Sequence, residues 1–281
     1  MADIFKAACA QTTSGPDVDA NIAHASDLVR RARDAGADFI SLPEVVNVMD
    51  LNRKALAGKT SIESEDVSLA AMQDLARETG AWLLIGSLVV KHDGAADDAG
   101  RPKFANRSFL IDDAGEVQAR YDKIHMFDVD LDGGESYRES KAYEPGDHST
   151  LVETPWGKLG MTICYDLRFP HLYRGLAHAG AGLFSIPAAF TKPTGGAHWH
   201  VLMRARAIEN ACFVISPAQC GHHGEGRLTY GHSLIVDPWG DVLADGGDEP
   251  GIVVAEIDMA KVEEARGKIP SLRHDREYRA E

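Results

Sequence analysis

Apolar and amphipathic stretches alternate from the start of the chain. Residues 4–11 read as a first strand. Residues 21–36 read as a helix, because Ile22, Ala25, Leu28, Val29 and Ala32 fall on one face and Gly36 is placed to stop it. Phe39, Ile40 and Leu42 form a short buried run that ends at Pro43-Glu44. Residues 67–79 read as a second helix ended by Gly80, and 82–90 as a buried strand. Strands over 104–111 and 116–122 flank a turn at Asp112–Gly115.

The rhythm then breaks. Residues 128–148 are rich in Asp, Glu and Gly and show no period, and so long a loop inside a compact domain is often functional. Residues 149–164 read as two short strands around Thr154–Gly157, the second delivering Cys164 at its end. Helices over 170–179 and 198–211 alternate with strands over 182–188, 213–219, 233–237 and 252–257. A charged helix near 259–267 leads into a polar tail of about 268–281. No repeat or linker interrupts this series. The simplest expectation is one α/β domain over 1–281, with mixed sheets because several strands are joined by short turns.

Composition narrows the function. The 281 residues carry a formal net charge of −14, which repels phosphate backbones and argues against nucleic-acid or anionic-membrane partners. No run approaches the roughly 18 apolar residues of a membrane span, and no secretory signal is visible. The four cysteines (Cys9, Cys164, Cys212 and Cys220) are irregularly spaced, without a C-x-x-C pair. They read as free thiols in a reducing compartment, the cytoplasm.

Four residues stand where chemistry is plausible. Cys164 lies at a strand end, and Pro170 begins the next helix. Backbone N–H groups in such a turn are expected to stabilise its thiolate, and the N–H of Tyr165 is placed to donate to an oxyanion. A small core cysteine fits the same placement, as it does for the other three. Glu44 leaves a buried strand, where burial should raise its pKa and suit it to act as a base. A solvated loop glutamate is the alternative. Lys123, after the strand 116–122, reads as a surface lysine or as the positive partner of an oxyanion. Glu139 lies in the long polar loop.

Histidine is the more familiar partner of a cysteine, with His125, His198, His200, His222, His223 and His232 as candidates. His198-Trp199-His200 and His222-His223 also raise a metal reading. It is weak, because no H-E-x-x-H or zinc-type Cys/His spacing accompanies them.

Taken together, the blocks Ser41-Leu42-Pro43-Glu44, Lys123-Ile124-His125-Met126-Phe127-Asp128 and Ile163-Cys164-Tyr165-Asp166-Leu167-Arg168-Phe169-Pro170 resemble the catalytic blocks of the nitrilase superfamily of carbon–nitrogen hydrolases. The resemblance continues through Pro187–Thr191, Thr194–Trp199, Arg204–Glu209, Gly231-His232-Ser233 and Asp237–Gly240, in order. It implies an α-β-β-α four-layer sandwich with two mixed β-sheets, usually paired as a homodimer or a higher homo-oligomer. It implies a triad of Glu44, Lys123 and Cys164, with Glu139 as an accessory glutamate, no metal and no cofactor. Glutamate then replaces histidine as the expected base.

Within the superfamily, Gln219–His223 and Tyr230–Ser233 resemble the branch of deaminated-glutathione amidases and ω-amidases, with departures at 215–217 and 224–226. The implied reaction is hydrolysis of a small carboxylate-bearing α-keto amide through a cysteine thioester. Arg168 is the expected carboxylate anchor, or else a structural arginine paired with an acidic residue. Phe190 and Thr194 are expected to line the pocket. Competing readings are an ω-amidase, a nitrilase or carbamoylase, a metal-dependent hydrolase, and a non-catalytic interaction protein.

Overall fold

The computed structural model describes residues 4–131, 136–224 and 226–279. Its first half runs β1 (Ile4–Gln11), α1 (Val18–Asp34), β2 (Phe39–Ser41), α2 (Arg53–Lys59), α3 (Val67–Thr79), β3 (Trp82–Ala96), β4 (Pro102–Ile111) and β5 (Val117–Asp122). A small hairpin follows, β6 (Asp128–Asp130) and β7 (Ser136–Arg138). The second half runs β8 (Thr150–Thr154), β9 (Gly157–Met161), α4 (Pro170–His178), β10 (Leu183–Ser185), α5 (Lys192–Asn210), β11 (Phe213–Ser216), β12 (Cys220–His222), β13 (Leu228–Tyr230), β14 (Leu234–Val236), β15 (Val242–Asp245), β16 (Gly251–Asp258) and α6 (Ala260–Lys268).

Two six-stranded sheets form, in the orders β16-β1-β2-β3-β4-β5 and β15-β14-β11-β10-β9-β8. Each is mixed. In the first, β1, β2 and β3 are parallel, and β16 and β4 run against them. In the second, β9, β10 and β11 are parallel, and β8 and β14 are antiparallel to the group.

The side-chain period of two sorts the strands' residues between layers. Ala7, Cys9, Phe39, Leu84 and Leu110 of the first sheet share one core with Leu159, Met161, Phe213 and Ile215 of the second. The alternate residues Ala8, Ala10, Ile40, Leu83 and Phe109 pack under α1 and α3. Tyr173 and Leu176 of α4 and Trp199 and Met203 of α5 cover the outer face of the second sheet. The result is the expected α-β-β-α sandwich. The helices that cover the first sheet are capped as their sequences demand. Asp17 accepts from Ala20 N at 3.1 Å, and Asp66 accepts from Ser68 N and Leu69 N, each at 2.9 Å. Gly80, at φ 61°, closes α3 in the left-handed region.

Several expected boundaries shift. α1 starts at Val18 rather than at residue 21, because Asp17 caps it. α5 starts six residues early, at Lys192, with Pro193 in its first turn. The strand expected over 213–219 stops at Ser216, before Pro217. The aperiodic loop 128–148 contains the β6–β7 hairpin, and its residues 132–135 lie outside the described residues, as do 280–281 of the tail. α2, β12, β13 and β15 were not expected.

The sheets place their strand ends together. β2 and β3 point the same way, and so does β5 after the reversal at β4. Gly86 is essential to this end of the first sheet. A Cβ there would lie 2.0 Å from Leu42 O and 2.5 Å from Pro43 O, so only glycine lets β3 pass beneath the Pro43-Glu44 turn. The register shifts at the same point, between Ile85 and Leu88.

Candidate active site

Glu44 stands just beyond β2, in a turn held from three sides. Ser87 N donates to Pro43 O at 3.1 Å, Val45 N donates to Ser87 Oγ at 2.8 Å, and Gln219 Nε2 donates to Glu44 O at 3.0 Å. Val45 adopts φ 50°, an uncommon conformation for a β-branched residue, and these bonds hold it there. Lys123 follows β5, its N–H bonded to Asn106 O at 3.0 Å. Cys164 follows β9 at φ 48°, its N–H bonded to Pro187 O at 2.8 Å. Backbone strain at both turns is over-determined by bonding to the neighbouring strand ends.

These turns bring the side chains into one buried cluster. Glu44 and Lys123 are 4% and 2% exposed. Lys123 Nζ donates to Glu44 Oε1 at 2.8 Å and to the two oxygens of Glu139 at 3.0 and 2.9 Å. Asn106, on β4, bridges the same two carboxylates, donating to Glu44 Oε1 at 2.9 Å and to Glu139 Oε1 at 3.1 Å. Ala189 N donates to Glu44 Oε2 at 2.8 Å, and Phe127 N to Glu139 Oε2 at 2.7 Å. The Cys164 thiol stands beside Glu44, close enough for each to shift the ionisation of the other. Each carboxylate oxygen therefore has a donor, which is what allows two acids to be buried beside one lysine.

The electrostatics overturn two expectations. Burial alone would raise Glu44. The Lys123 ammonium, with hydrogen bonds from Lys123, Cys164 and Asn106, outweighs it, and the carboxyl lies below the ordinary glutamate range. The thiol of Cys164 moves the other way. Burial pushes it up, the Glu44 charge adds to the rise, and Lys123 and the Ala189 N–H only partly oppose this. The resting pair is therefore carboxylate and neutral thiol, not a thiolate stabilised by the turn. Burial likewise opposes the charge on Lys123, but Glu139 and Glu44 hold it well above the usual lysine range.

One buried carboxylate ties the parts together. Asp166 accepts from Ile163 N at 2.8 Å in the turn bearing Cys164. It also accepts from Tyr121 Oη at 2.6 Å and His125 N at 3.1 Å, on either side of Lys123, and lies 2.7 Å from His125 Nδ1. Asp166 thus positions the turn that carries Cys164 against the strand that leads to Lys123.

A cavity of about 400 Å³ opens on this cluster. Its wall includes Glu44, Lys123, Glu139 and Cys164, and also Tyr165, Phe190 and Thr194 as expected. Arg168 is not in the wall. Its guanidinium lies over the rings of Phe190 and Tyr165, 5.2 and 5.8 Å from their centroids, and beside His198 Nδ1 at 3.4 Å. Four residues of separation in a 3₁₀ turn carry it away from the sulfur. The candidate histidines are also absent from the wall. His125 binds Asp166, and His223 bonds to Ser14 O and Thr229 Oγ1.

Sequence reasoning missed Asn106 and Arg227. Arg227 lines the cavity, donates to Ala189 O at 3.2 Å and lies 5.5 Å over the Tyr137 ring, while its buried Nε has no hydrogen-bond partner. The other wall arginines are committed, Arg53 to Asp97 at 2.6 Å and Arg138 to Asp130 at 2.8 Å. Among the described residues Arg227 has no carboxylate partner.

Comparison with known proteins places the chain in a family and agrees with its fold. Residues 6–267 match the carbon–nitrogen hydrolase family. Over 276 residues the chain is 40% identical to a deaminated glutathione amidase of Synechocystis, covering 96% of this chain and 97% of the relative. It is 41% identical to that of Mus musculus over 275 residues, covering 96% and 82%. The solved C. elegans NitFhit protein superposes with a TM-score of 0.87 at 36% identity, over 97% of this chain, which spans 65% of that longer protein.

Proposed function

The chain belongs to the carbon–nitrogen hydrolase family and hydrolyses carbon–nitrogen bonds other than peptide bonds; we propose that it does so as a thiol amidase with Cys164 as nucleophile and Glu44 as base. The observation that carries this reading is that Cys164, Glu44 and Lys123 meet on one cavity wall, with Lys123 Nζ 2.8 Å from Glu44 Oε1 and holding that carboxylate ionised beside a neutral thiol.

Glu44 takes the thiol proton as the substrate carbonyl arrives. The sulfur attacks the carbonyl carbon, and the carbonyl π pair moves to oxygen. The Lys123 ammonium and the Tyr165 N–H hold that oxyanion. As the carbonyl re-forms, the C–N bond breaks and Glu44 returns the proton to nitrogen, releasing ammonia and leaving a thioester on Cys164. Glu44 then takes a proton from water, hydroxide equivalent adds to the thioester, the C–S bond breaks, and the proton goes back to sulfur. Glu139 and Asn106 keep Lys123 and Glu44 in place.

The substrate we propose is a small α-keto amide bearing a carboxylate, of the deaminated-glutathione type. The relatives' names support the class. Arg227 supports the carboxylate, because it stands on the cavity wall without a carboxylate partner among the described residues. It takes the part expected of Arg168. An ω-amidase acting on α-ketoglutaramate is the second reading, since the same arginine would hold its carboxylate. Ammonia release from deaminated glutathione and from α-ketoglutaramate, compared as kcat/KM, separates the two. Turnover of neither, with hydrolysis of a nitrile or release of carbon dioxide instead, would replace the amidase reading.

We propose further that the protein works in the cytoplasm as a homodimer or higher homo-oligomer. All four cysteines are free, which suits a reducing compartment. Val201, Ile208, Trp239 and Val242 expose large apolar surfaces of the kind a partner subunit covers. A monomer by sedimentation at micromolar concentration would remove the oligomer.

A further inference from the structure

His200, His232 and Asp245 meet beside the second sheet, and none of the three lines the catalytic cavity. His200 projects from α5, His232 from the loop before β14, and Asp245 from the end of β15. His232 Nδ1 lies 2.8 Å from Asp245 Oδ1, and His200 Nε2 lies 3.1 Å from Asp245 Oδ2. One nitrogen or oxygen from each residue falls within 4.8 Å of the others.

We propose that these three side chains bind a divalent transition-metal ion of the zinc type, in a site separate from the catalytic cavity. The donor set is two imidazole nitrogens and one carboxylate, a set suited to such an ion. Zinc bonds of about 2.1 Å put neighbouring donors of a tetrahedron about 3.4 Å apart. The two histidine–carboxylate separations, 2.8 Å to Oδ1 and 3.1 Å to Oδ2 of Asp245, bracket that distance from below, and the three donors already lie within 4.8 Å of one another, so rotation of the side chains brings them to it. The side chains are 35%, 23% and 36% exposed for His200, His232 and Asp245, so solvent reaches the site and water can complete the shell.

The surroundings resemble a ligand shell more than a chance surface cluster. His232 Nε2 lies 3.2 Å from Asp248 Oδ1, so the ring nitrogen away from the proposed ion faces a carboxylate, which fixes the tautomer of a metal-bound histidine. Gly247 N donates to Asp245 Oδ1 at 2.9 Å and holds that carboxylate in place. His232 sits at φ 55°, its N–H bonded to Gly247 O at 2.7 Å and its carbonyl accepting from Trp199 Nε1 at 2.7 Å. Its ring stacks on Tyr230 at 4.5 Å. A strained backbone held by this many contacts is a preorganised donor. Among the described residues neither Asp245 nor Asp248 pairs with a lysine or arginine; their ion-pair partners are histidines. A dication would supply the positive charge this corner lacks.

The ion would act on structure, not chemistry. It would pin α5, whose first turn carries Thr194 on the cavity wall, to the Tyr230–His232 segment. Tyr230 already donates its N–H to Phe190 O at 3.0 Å.

The test uses the full chain stripped with chelator and titrated with zinc chloride by calorimetry and thermal melting. A Cys164→Ala background removes the thiol as a competing ligand. We expect one equivalent bound and a rise in Tm in that background, with affinity falling at least about 100-fold in His200→Ala and in Asp245→Asn, and about 10-fold in Asp248→Asn. Cobalt(II) should give ligand-field bands without thiolate charge transfer. His200 is half-exposed, and circular dichroism of each variant checks that the fold is kept. No stoichiometric uptake by Cys164→Ala would overturn the site, as would uptake unchanged by His200→Ala and Asp245→Asn.

Discussion

Cys9 and Cys164 are both buried thiols, and burial raises both. Cys9 is pushed up to about 12 by burial, against weaker lowering from Ser41 and a backbone hydrogen bond. Cys164 is raised by burial and by Glu44. Proton affinity therefore does not separate the proposed nucleophile from the core cysteine. What separates them is the neighbour. Cys9 lies 3.5 Å from the Ser41 hydroxyl and 3.8 Å from Leu234 O, and neither group takes its proton at neutral pH. Cys164 faces an ionised carboxylate and opens on a cavity. In the proposed reaction the buried Cys164 thiol becomes a nucleophile through a base that removes its proton on demand.

Substitutions at the two cysteines should differ most. Cys164→Ala should reduce ammonia release by about 10⁴-fold or more, because no other group in the cavity carries the acyl intermediate. Activity near wild type would break the comparison outright. Lys123→Ala should follow, with turnover down about 10³-fold and stability down by about 3–5 kcal/mol, since Glu44 and Glu139 lose their shared cation while remaining buried. Urea midpoints and steady-state rates measured on one preparation check both effects.

Arg227→Ala should raise KM about 10–100-fold for carboxylate-bearing amides and leave neutral amides nearly unchanged. Arg168→Ala should not discriminate between them. If the discrimination followed Arg168 instead, the geometry of the wall would have been misread. Cys9→Ala should leave kcat and KM unchanged and cost about 1–2 kcal/mol of stability. It should also reduce the alkaline loss of stability. A raised folded pKa contributes stability that is full below the ordinary cysteine value of about 8.5 and is lost as pH climbs toward about 12. An unchanged slope of urea midpoint against pH over that window would contradict the burial of Cys9 as its cause.

The sequence made the Cys164 side of this comparison unusually legible. Glu44, Lys123 and Cys164 each sit just past a strand, inside contiguous blocks whose order matches a known family. The layers were equally readable, because alternation along β1, β3 and β4 sorts apolar residues onto two faces. Asn106 was hidden by its strand. It is one polar residue in a buried pattern, and nothing local shows that it reaches two glutamates. Arg227 was hidden for a different reason. It lies between β12 and β13, strands of three residues each, too short to carry a period. Arg168 was misplaced because closeness in sequence to the nucleophile stood in for closeness in space. The α2 helix has seven residues and buries only Leu56, so it leaves little amphipathic trace.

The charge states also escaped sequence reasoning, for they depend on which groups meet. Burial predicted a raised Glu44, and Lys123 reversed the sign. The consequence is testable in acid. A carboxylate with a depressed folded pKa contributes stability present above the ordinary glutamate value of about 4.3 and lost as pH falls through its lower folded value. The acid limb of kcat/KM should accordingly lie below that ordinary value.

The most direct measurement is the rate at which Cys164 is acylated in a single turnover, followed by quenched-flow mass spectrometry of the Cys164 peptide with deaminated glutathione as substrate. The wild type should show a transient acyl mass on Cys164, and Glu44→Gln should form it about 10³-fold more slowly while keeping its fold. Acylation of Glu44→Gln at the wild-type rate would contradict the assignment of Glu44 as the group that turns this buried thiol into a nucleophile.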